Sequence, residues 1–169
     1  MLLLAAAPPA AAGDAPPAAE RHAEIVADLG LSVIHAGYEH PLGRDFAIAV
    51  TAGVFGTYFL PWFELGDDVI GFGGGLRGTW FVRETGRGFY VAPYGRAQRV
   101  SGKHDDMEGT GPGVSAGVFA GWALGIGEKL DLRLGVGAQY IYQSIDTAAG
   151  KQTSSTPFIA IDIVVGYRL

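Results

Sequence analysis

The feature that most constrains this chain is a two-residue alternation of side-chain character, which runs from about residue 23 to Leu169. Successive side chains of a β-strand point to opposite faces, so the alternation predicts strands. It recurs over 46–54, 70–82, 88–100, 114–124, 129–143 and 159–169. In 129–143 the bulky apolar face carries Leu130, Leu132, Leu134, Val136, Ala138, Tyr140 and Tyr142. We therefore expect an all-β protein.

The contrast between the two faces predicts which of them points outward. One face is large and apolar on every predicted strand, whereas the other is small, with a few charges. Exposing rows of Leu, Ile and Trp to water would create aggregation-prone patches, whereas lipid would accept them. Past the first dozen residues there is no run of 18 apolar residues for a membrane helix, although mean hydropathy is +0.23. These observations favour a transmembrane β-barrel over a soluble ligand-binding barrel.

The number of strands depends on residues 23–40, which form one strand or two. Six strands are evident from residue 45 onward. Bacterial outer-membrane barrels have even strand numbers, so we predict two strands, 23–30 and 33–40, with a turn near Gly30–Val33. The result is an eight-stranded antiparallel up-and-down transmembrane barrel. Its interior would be filled by side chains, which argues against an open pore.

The connections between strands alternate in length and so orient the barrel. Short turns are predicted at 41–44, 84–87 and 125–128, and longer loops at 61–67, 101–110 and 145–155. Outer-membrane barrels have short periplasmic turns and longer extracellular loops. The end of the chain at Leu169 is thus expected on the periplasmic side.

The first 22 residues divide into two parts. Residues 1–12 combine a short apolar core with three alanines before Gly13, which predicts a signal segment that lacks its basic start. A disordered Ala/Pro tail is the alternative. Residues 13–22 are interpreted as an Ala/Pro-rich linker, and residues 23–169 as the barrel.

The overall charge limits the partners that this chain can have. The formal net charge is −5 and there is no basic stripe, which argues against nucleic acid. The absence of cysteine excludes disulfides, thiolate metal sites and cysteine nucleophiles. No cofactor or metal is expected. The expected partners are outer-membrane lipids and the barrel-assembly machinery, and the expected state is a monomer.

Charged side chains on the predicted inward face are the first candidate site. An unpaired charge in a narrow lumen is costly, so we predict a salt-bridge network that plugs the interior. A gated ion path is the alternative interpretation. The candidate network consists of Glu39, Arg77, Arg96, Asp131, Arg133, Asp162 and Arg168.

Aromatic residues on the outward face are the second candidate site. Aromatic side chains favour the two interfaces of a membrane, where they form girdles. Near the periplasmic ends of the strands we place Phe46, Trp80, Phe89, Trp122 and Tyr167. Near the outer ends we place Tyr58, Trp62, Tyr140 and Tyr142.

Three sequence segments carry a resemblance to a known family. The segment IAIDIVVGYRL resembles the C-terminal strand by which outer-membrane barrels are recognised for insertion, with Leu169 where Phe is usual. The segments HAGYEHPLGRDFAIAV and GFYVAPYGRAQ resemble small outer-membrane barrels of the OmpA and OmpX type. The resemblance covers about residues 23–169. It implies the fold and a location in the bacterial outer membrane, with no assigned activity.

Catalytic and ligand-binding interpretations of individual residues are weaker. Lipid A deacylases resemble this scaffold and use a His–Ser pair, but no serine is placed beside His35 or His40. His104, Asp105, Asp106 and Glu108 lack the spacing of a calcium loop. The glycines at 71 and 73–75 precede no helix and no Lys-Ser/Thr, which excludes a phosphate-binding loop.

These observations favour one function over several alternatives. We expect a structural or surface-interaction protein of the outer membrane without catalytic activity. A narrow channel for small solutes is the first alternative, and a lipid-modifying enzyme is the second.

Overall fold

The computed structural model describes residues 22–56, 69–82, 86–104, 107–148 and 150–169, and these form eight antiparallel strands closed into one barrel. The predicted all-β, eight-stranded up-and-down architecture is confirmed. The strands are β1 Glu24–Gly30, β2 Val33–Pro41, β3 Phe46–Gly56, β4 Ile70–Phe81, β5 Gly88–His104, β6 Met107–Ile126, β7 Leu130–Thr147 and β8 Gly150–Arg168. The predicted signal segment and nearly all of the linker lie outside the described residues.

Residues 23–40 form two strands, as the even strand count required. The β1–β2 hairpin closes at the Gly30–Val33 pair, with Leu31 and Ser32 in the turn. The carbonyl of Ser32 accepts a hydrogen bond from the Gly56 amide at 3.0 Å, which ties this turn to the end of β3.

The strands tilt because the barrel closes with a shifted register. Followed through successive pairs, Arg168 is opposite Glu24, then Glu39, Ala49, Arg77, Tyr94, Gly117, Gln139 and finally Phe158. One circuit thus returns to β8 ten residues from where it began. With about 3.3 Å per residue and about 4.8 Å between strands, this shift corresponds to a tilt of about 40°.

The two ends of the barrel differ in their connections. The terminal end holds the start of β1, the end of β8 and the connections β2–β3, β4–β5 and β6–β7. The turns at 42–45 and 127–129 agree with the predicted short turns, and Gly127 has a φ of 64°, which favours glycine. Of the predicted turn at 84–87, residues 84 and 85 lie outside the described residues. The opposite end, with the other four connections, is the hairpin end.

Two of the predicted long loops are strands, which corrects the sequence analysis. Residues of 101–110 pair within the β5–β6 hairpin up to His104 opposite Met107. Residues 145–155 pair within the β7–β8 hairpin up to Thr147 opposite Gly150. Alternation requires two different environments for the two faces, and it vanishes where both faces are polar. The remaining predicted loop, 61–67, lies outside the described residues.

The predicted faces agree with the exposure of the side chains. The bulky apolar side chains of β3, β4, β6, β7 and β8 are exposed, for example Phe72 at 67% and Val136 at 64%. Their neighbours in sequence, Thr79, Asp131 and Asp162 among them, are buried. Within the described residues there is no helix with the length and hydrophobicity needed to cross a membrane.

Candidate functional site

The barrel interior holds the charged side chains that the sequence analysis selected. The alternation of each strand places all seven on the inward face, and six are buried, with Arg168 half-buried. Their ion pairs fall into four groups among the described residues.

The group around Arg133 lies towards the terminal end and connects three strands. Arg133 Nη1 donates to Glu39 Oε2 at 2.6 Å. Its Nη2 donates to Glu39 Oε1 at 2.8 Å and to Glu24 Oε2 at 2.7 Å. Glu24 and Glu39 face each other across the β1–β2 pair, and the three side chains are at most 4% exposed. The guanidinium therefore compensates two carboxylates that would otherwise repel each other in a dry interior.

The second group is an Arg–Asp pair that crosses the lumen. Arg77 of β4 donates to both carboxylate oxygens of Asp162 on β8, at 2.6 and 2.7 Å. The hydroxyl of Tyr90 on β5 donates to the same carboxylate at 2.5 Å. The Phe119 ring lies 5.5 Å from the Arg77 guanidinium carbon, within cation–π distance. Asp162 is fully buried, and the pair holds opposite walls of the barrel together.

The remaining two groups join β1 to β5 and β7 to β8. Arg96 Nη2 donates to Asp28 Oδ2 at 2.7 Å, and its guanidinium carbon lies 4.2 Å from the centre of the Tyr94 ring. Arg168 Nε donates to Asp131 Oδ2 at 2.7 Å at the terminal end. Arg77, Arg133 and Arg168 each contact both oxygens of one carboxylate, the bidentate chemistry that guanidinium favours, whereas Arg96 donates to one oxygen of Asp28.

Sequence reasoning missed two members of these groups, Glu24 and Asp28. Both lie on β1, whose seven residues give only three outward positions to read. The signal was present in the segment EIVADLG, where Ile25 and Leu29 point outward and the two acids occupy the alternate, even-numbered positions. The two-residue alternation of the strand would therefore have placed both acids in the lumen.

Apolar side chains complete the filling of the interior at two levels. From the terminal end to mid-height Phe81, Tyr90, Tyr94 and Phe119 pack with three alanines. Towards the hairpin end a second cluster, which we call the apolar cap, consists of Val33, Phe55, Val69, Val100 and the adjoining Ile145. A cavity of about 10 Å³ beside Arg96 and Gln139 has room for one water molecule.

The two histidines of β2 lie on opposite faces of the wall. His35 is buried, with its Nδ1 3.3 Å from Thr51 Oγ1, whereas His40 is exposed, with its Nδ1 3.2 Å from the Tyr38 hydroxyl. Asp105, Asp106 and the His104 side chain lie outside what the structure describes. In the described part of the chain, no three His, Asp or Glu side chains are grouped so as to hold a metal ion.

The predicted girdle residues lie on the outward face wherever they are described. Phe46 is directly opposite Trp80, and Phe89 is opposite Trp122, all towards the terminal end with Tyr167. Tyr140 is exposed on β7, nearer the hairpin end, and Tyr142 is half-buried. Tyr58 and Trp62 lie outside the described residues. The exposed Tyr38 and Phe72 are outward aromatic residues that the predicted girdles did not include.

The chemistry available inside the barrel is limited by this pairing. Each buried carboxylate of the four groups accepts from an arginine and is therefore not positioned as a proton acceptor for a substrate. The arginines are in turn occupied by carboxylates. The arrangement is suited to holding the walls of the barrel together.

Comparison with known proteins supports the fold. No family model and no curated protein matches the chain. Among solved structures it is similar to Neisserial surface protein A, whose crystal structure it matches with a TM-score of 0.53 at 18% identity. The match covers 88% of this chain and 95% of that one. The chain therefore has the closed eight-stranded fold of the small outer-membrane β-barrels.

Proposed function

We propose that this protein spans the bacterial outer membrane as a non-catalytic barrel and presents a β-sheet for surface interactions at its hairpin end. Support for the membrane comes from the outward apolar residues of every strand. On β3, β4, β6 and β8, the outward positions are apolar or glycine for ten residues from the terminal-end girdle position, up to Gly56, Ile70, Pro112 and Pro157. Ten residues span about 33 Å of strand, or about 25 Å along the axis at a tilt of about 40°. Outer-membrane barrels have an apolar band of about that height.

The observation that carries the surface role is the unequal length of the strands. β1 and β2 have seven and nine residues and close in the described turn at Leu31 and Ser32, whereas β5 to β8 continue for 17 to 20 residues. Their extensions form what we call the protruding sheet, residues 99–104, 107–112, 144–148 and 150–157. It is rich in Gly, Ser, Thr and charged residues, which suits water, while Val100 and Ile145 at its base belong to the apolar cap.

One edge of the protruding sheet offers backbone groups to a partner. β1 pairs with β8 only from Val164 to Arg168, and no described strand pairs with β8 on that side above it. The Leu169 amide donates to Ala23, so the odd-numbered residues of β8 direct their backbone groups to this side. Lys151, Thr153 and Ser155 thus present the hydrogen-bonding groups that an extended segment of another protein can use.

The packed interior supports a structural role over the channel and enzyme alternatives. Ion pairs, stacked aromatic rings and the apolar cap occupy successive levels of the lumen. The outward His40 lies beside Tyr38, with no described Ser oxygen hydrogen-bonded to it. A hydrolytic His–Ser arrangement is therefore not supported there.

Location and orientation are tested together by cysteine labelling, which is clean because the chain has no native cysteine. We expect Thr153→Cys, in the protruding sheet, to react with a membrane-impermeant maleimide on intact cells that express the protein behind a secretory signal. The control, Arg44→Cys in the β2–β3 turn, should react only after the outer membrane is permeabilised. Equal labelling of both on intact cells, or a protein that folds in plain buffer without a boiling-dependent mobility shift, would refute the proposal.

Conductance separates the proposed role from the channel alternative. In planar bilayers we expect no discrete conductance steps from the refolded protein, because the apolar cap and the ion pairs close the lumen. Asp162→Ala disrupts an ion pair, and Phe55→Ala removes a ring from the apolar cap. Conductance steps in one of these variants would show which of the two closes the lumen. Stable single-channel steps from the unmodified protein would make the channel the correct function.

A further inference from the structure

We infer that Arg99 and the groove beside it bind the phosphate-bearing headgroup of a lipid in the leaflet at the hairpin end. The inference rests on the proposed membrane location and adds a specific ligand site to it. Between Phe89 and Arg99, the outward side chains of β5 are Val91, Pro93, Gly95 and Ala97, all apolar or absent. Arg99 is thus the first outward charge above the apolar band, about 25 Å from the terminal-end girdle, where headgroup phosphates lie.

The Arg99 guanidinium has capacity for an anion. It is exposed, and its Nη2 donates one long hydrogen bond of 3.4 Å to Thr110 Oγ1 on β6. No carboxylate among the described side chains lies within ion-pair distance of it. This contrasts with Arg77, Arg96 and Arg133, each of which is bound by carboxylates. A guanidinium at an interface with unused donors matches the bidentate geometry of phosphate.

The surroundings of Arg99 have the two-part chemistry of a lipid. Ser101 lies opposite Thr110, so two hydroxyls stand on the water side of the arginine. Beside Arg99 a groove of about 420 Å³ is lined by Val54, Ile70, Gly71 and Phe72 together with Arg99 and Ser101. Phe72 is directly opposite Arg99 across the β4–β5 pair. The groove can accept an acyl chain while the guanidinium and hydroxyls bind the phosphate.

Native mass spectrometry of the full chain refolded in neutral detergent tests this site, with bis-phosphorylated lipid A as the probe. We expect a one-to-one adduct that Arg99→Gln weakens about tenfold, as the loss of one charge-assisted interaction predicts. Dephosphorylated lipid A should bind the unmodified protein about tenfold more weakly as well. The control Arg44→Gln, at the terminal end, should bind like the unmodified protein. Inorganic phosphate at millimolar concentration should not displace the lipid.

Two further measurements keep the inference separable from folding and from the proposed function. Phe72→Ala removes the acyl contact without changing charge, and we expect it to weaken the adduct, so it decides the question if Arg99→Gln does not fold. The boiling-dependent mobility shift reports barrel formation for each variant. If the unmodified barrel binds both forms of lipid A equally, and Arg99→Gln and Phe72→Ala fold and bind lipid A as tightly as it does, the lipid site is wrong but the membrane proposal stands. If inorganic phosphate displaces the lipid, Arg99 binds free anions instead. A chain that never forms the heat-sensitive barrel overturns the membrane proposal and the site with it.

Discussion

Arg133→Met is expected to destabilise the barrel by about 3–5 kcal/mol, the usual cost of removing one partner from a buried ion pair. The cost arises because Arg133 donates three hydrogen bonds to Glu24 and Glu39, which face each other across β1–β2. Methionine occupies a similar volume but leaves two carboxylates at most 4% exposed and without that cation. Urea unfolding in lipid vesicles, followed by tryptophan fluorescence, measures the loss.

The matched control removes the charges together. The triple variant Arg133→Met, Glu24→Gln, Glu39→Gln retains the volumes and deletes the repulsion, so it should recover a large part of the loss. Arg168→Met is a second comparison, because Arg168 is 20% exposed and compensates one carboxylate, Asp131, rather than two, so its loss should cost less than that of Arg133. Equal losses for the single and triple variants would show that shape at Arg133, rather than charge compensation, stabilises the terminal end.

The alternation gave the direction of each side chain but not its partner. Arg77 and Asp162 are separated by 85 residues, and their strands lie on opposite sides of the barrel. Whether they meet depends on the ten-residue shift accumulated around the closed register, to which every strand pair contributes. No local pattern contains that sum. The inward direction of the Asp162 side chain was therefore predictable, whereas its contact with Arg77 and Tyr90 required the structure.

The errors in strand length have a single physical origin. Alternation in a sequence reports the part of a strand whose two faces meet different environments. In β8 this part runs from Ile159 to Leu169, and the predicted strand covers the same residues. From Gly150 to Thr156 both faces are polar, yet the backbone remains paired with β7. Backbone pairing continues without any side-chain signal, so the protruding sheet could not be predicted from alternation.

The close packing of the interior leads to the second large expected effect, that of Gly121→Val. Gly121 on β6 is opposite Gly135 on β7, beneath the Tyr90 hydroxyl. A Cβ at Gly121 would lie 2.6 Å from the Gly135 Cα and 2.7 Å from that hydroxyl. Backbone cannot give way as a side chain does, so overpacking should cost about 1–3 kcal/mol. Displacement of Tyr90 from Asp162 should add about 1.5–3 kcal/mol, the worth of a hydrogen bond to a charged group.

The comparison with Gly95 separates this packing effect from the loss of glycine as such. Gly95 on β5 points outward, and a Cβ there would meet nothing within 4 Å. Gly95→Val should therefore be neutral or stabilise the barrel by up to about 1 kcal/mol, because valine favours strands. Tyr90→Phe combined with Gly121→Val removes the clash with the hydroxyl but retains the clash with Gly135. If Gly121→Val costs no more than Gly95→Val in the same vesicles, β6 and β7 are farther apart than the structure places them, and Tyr90 does not depend on that glycine pair for its bond to Asp162.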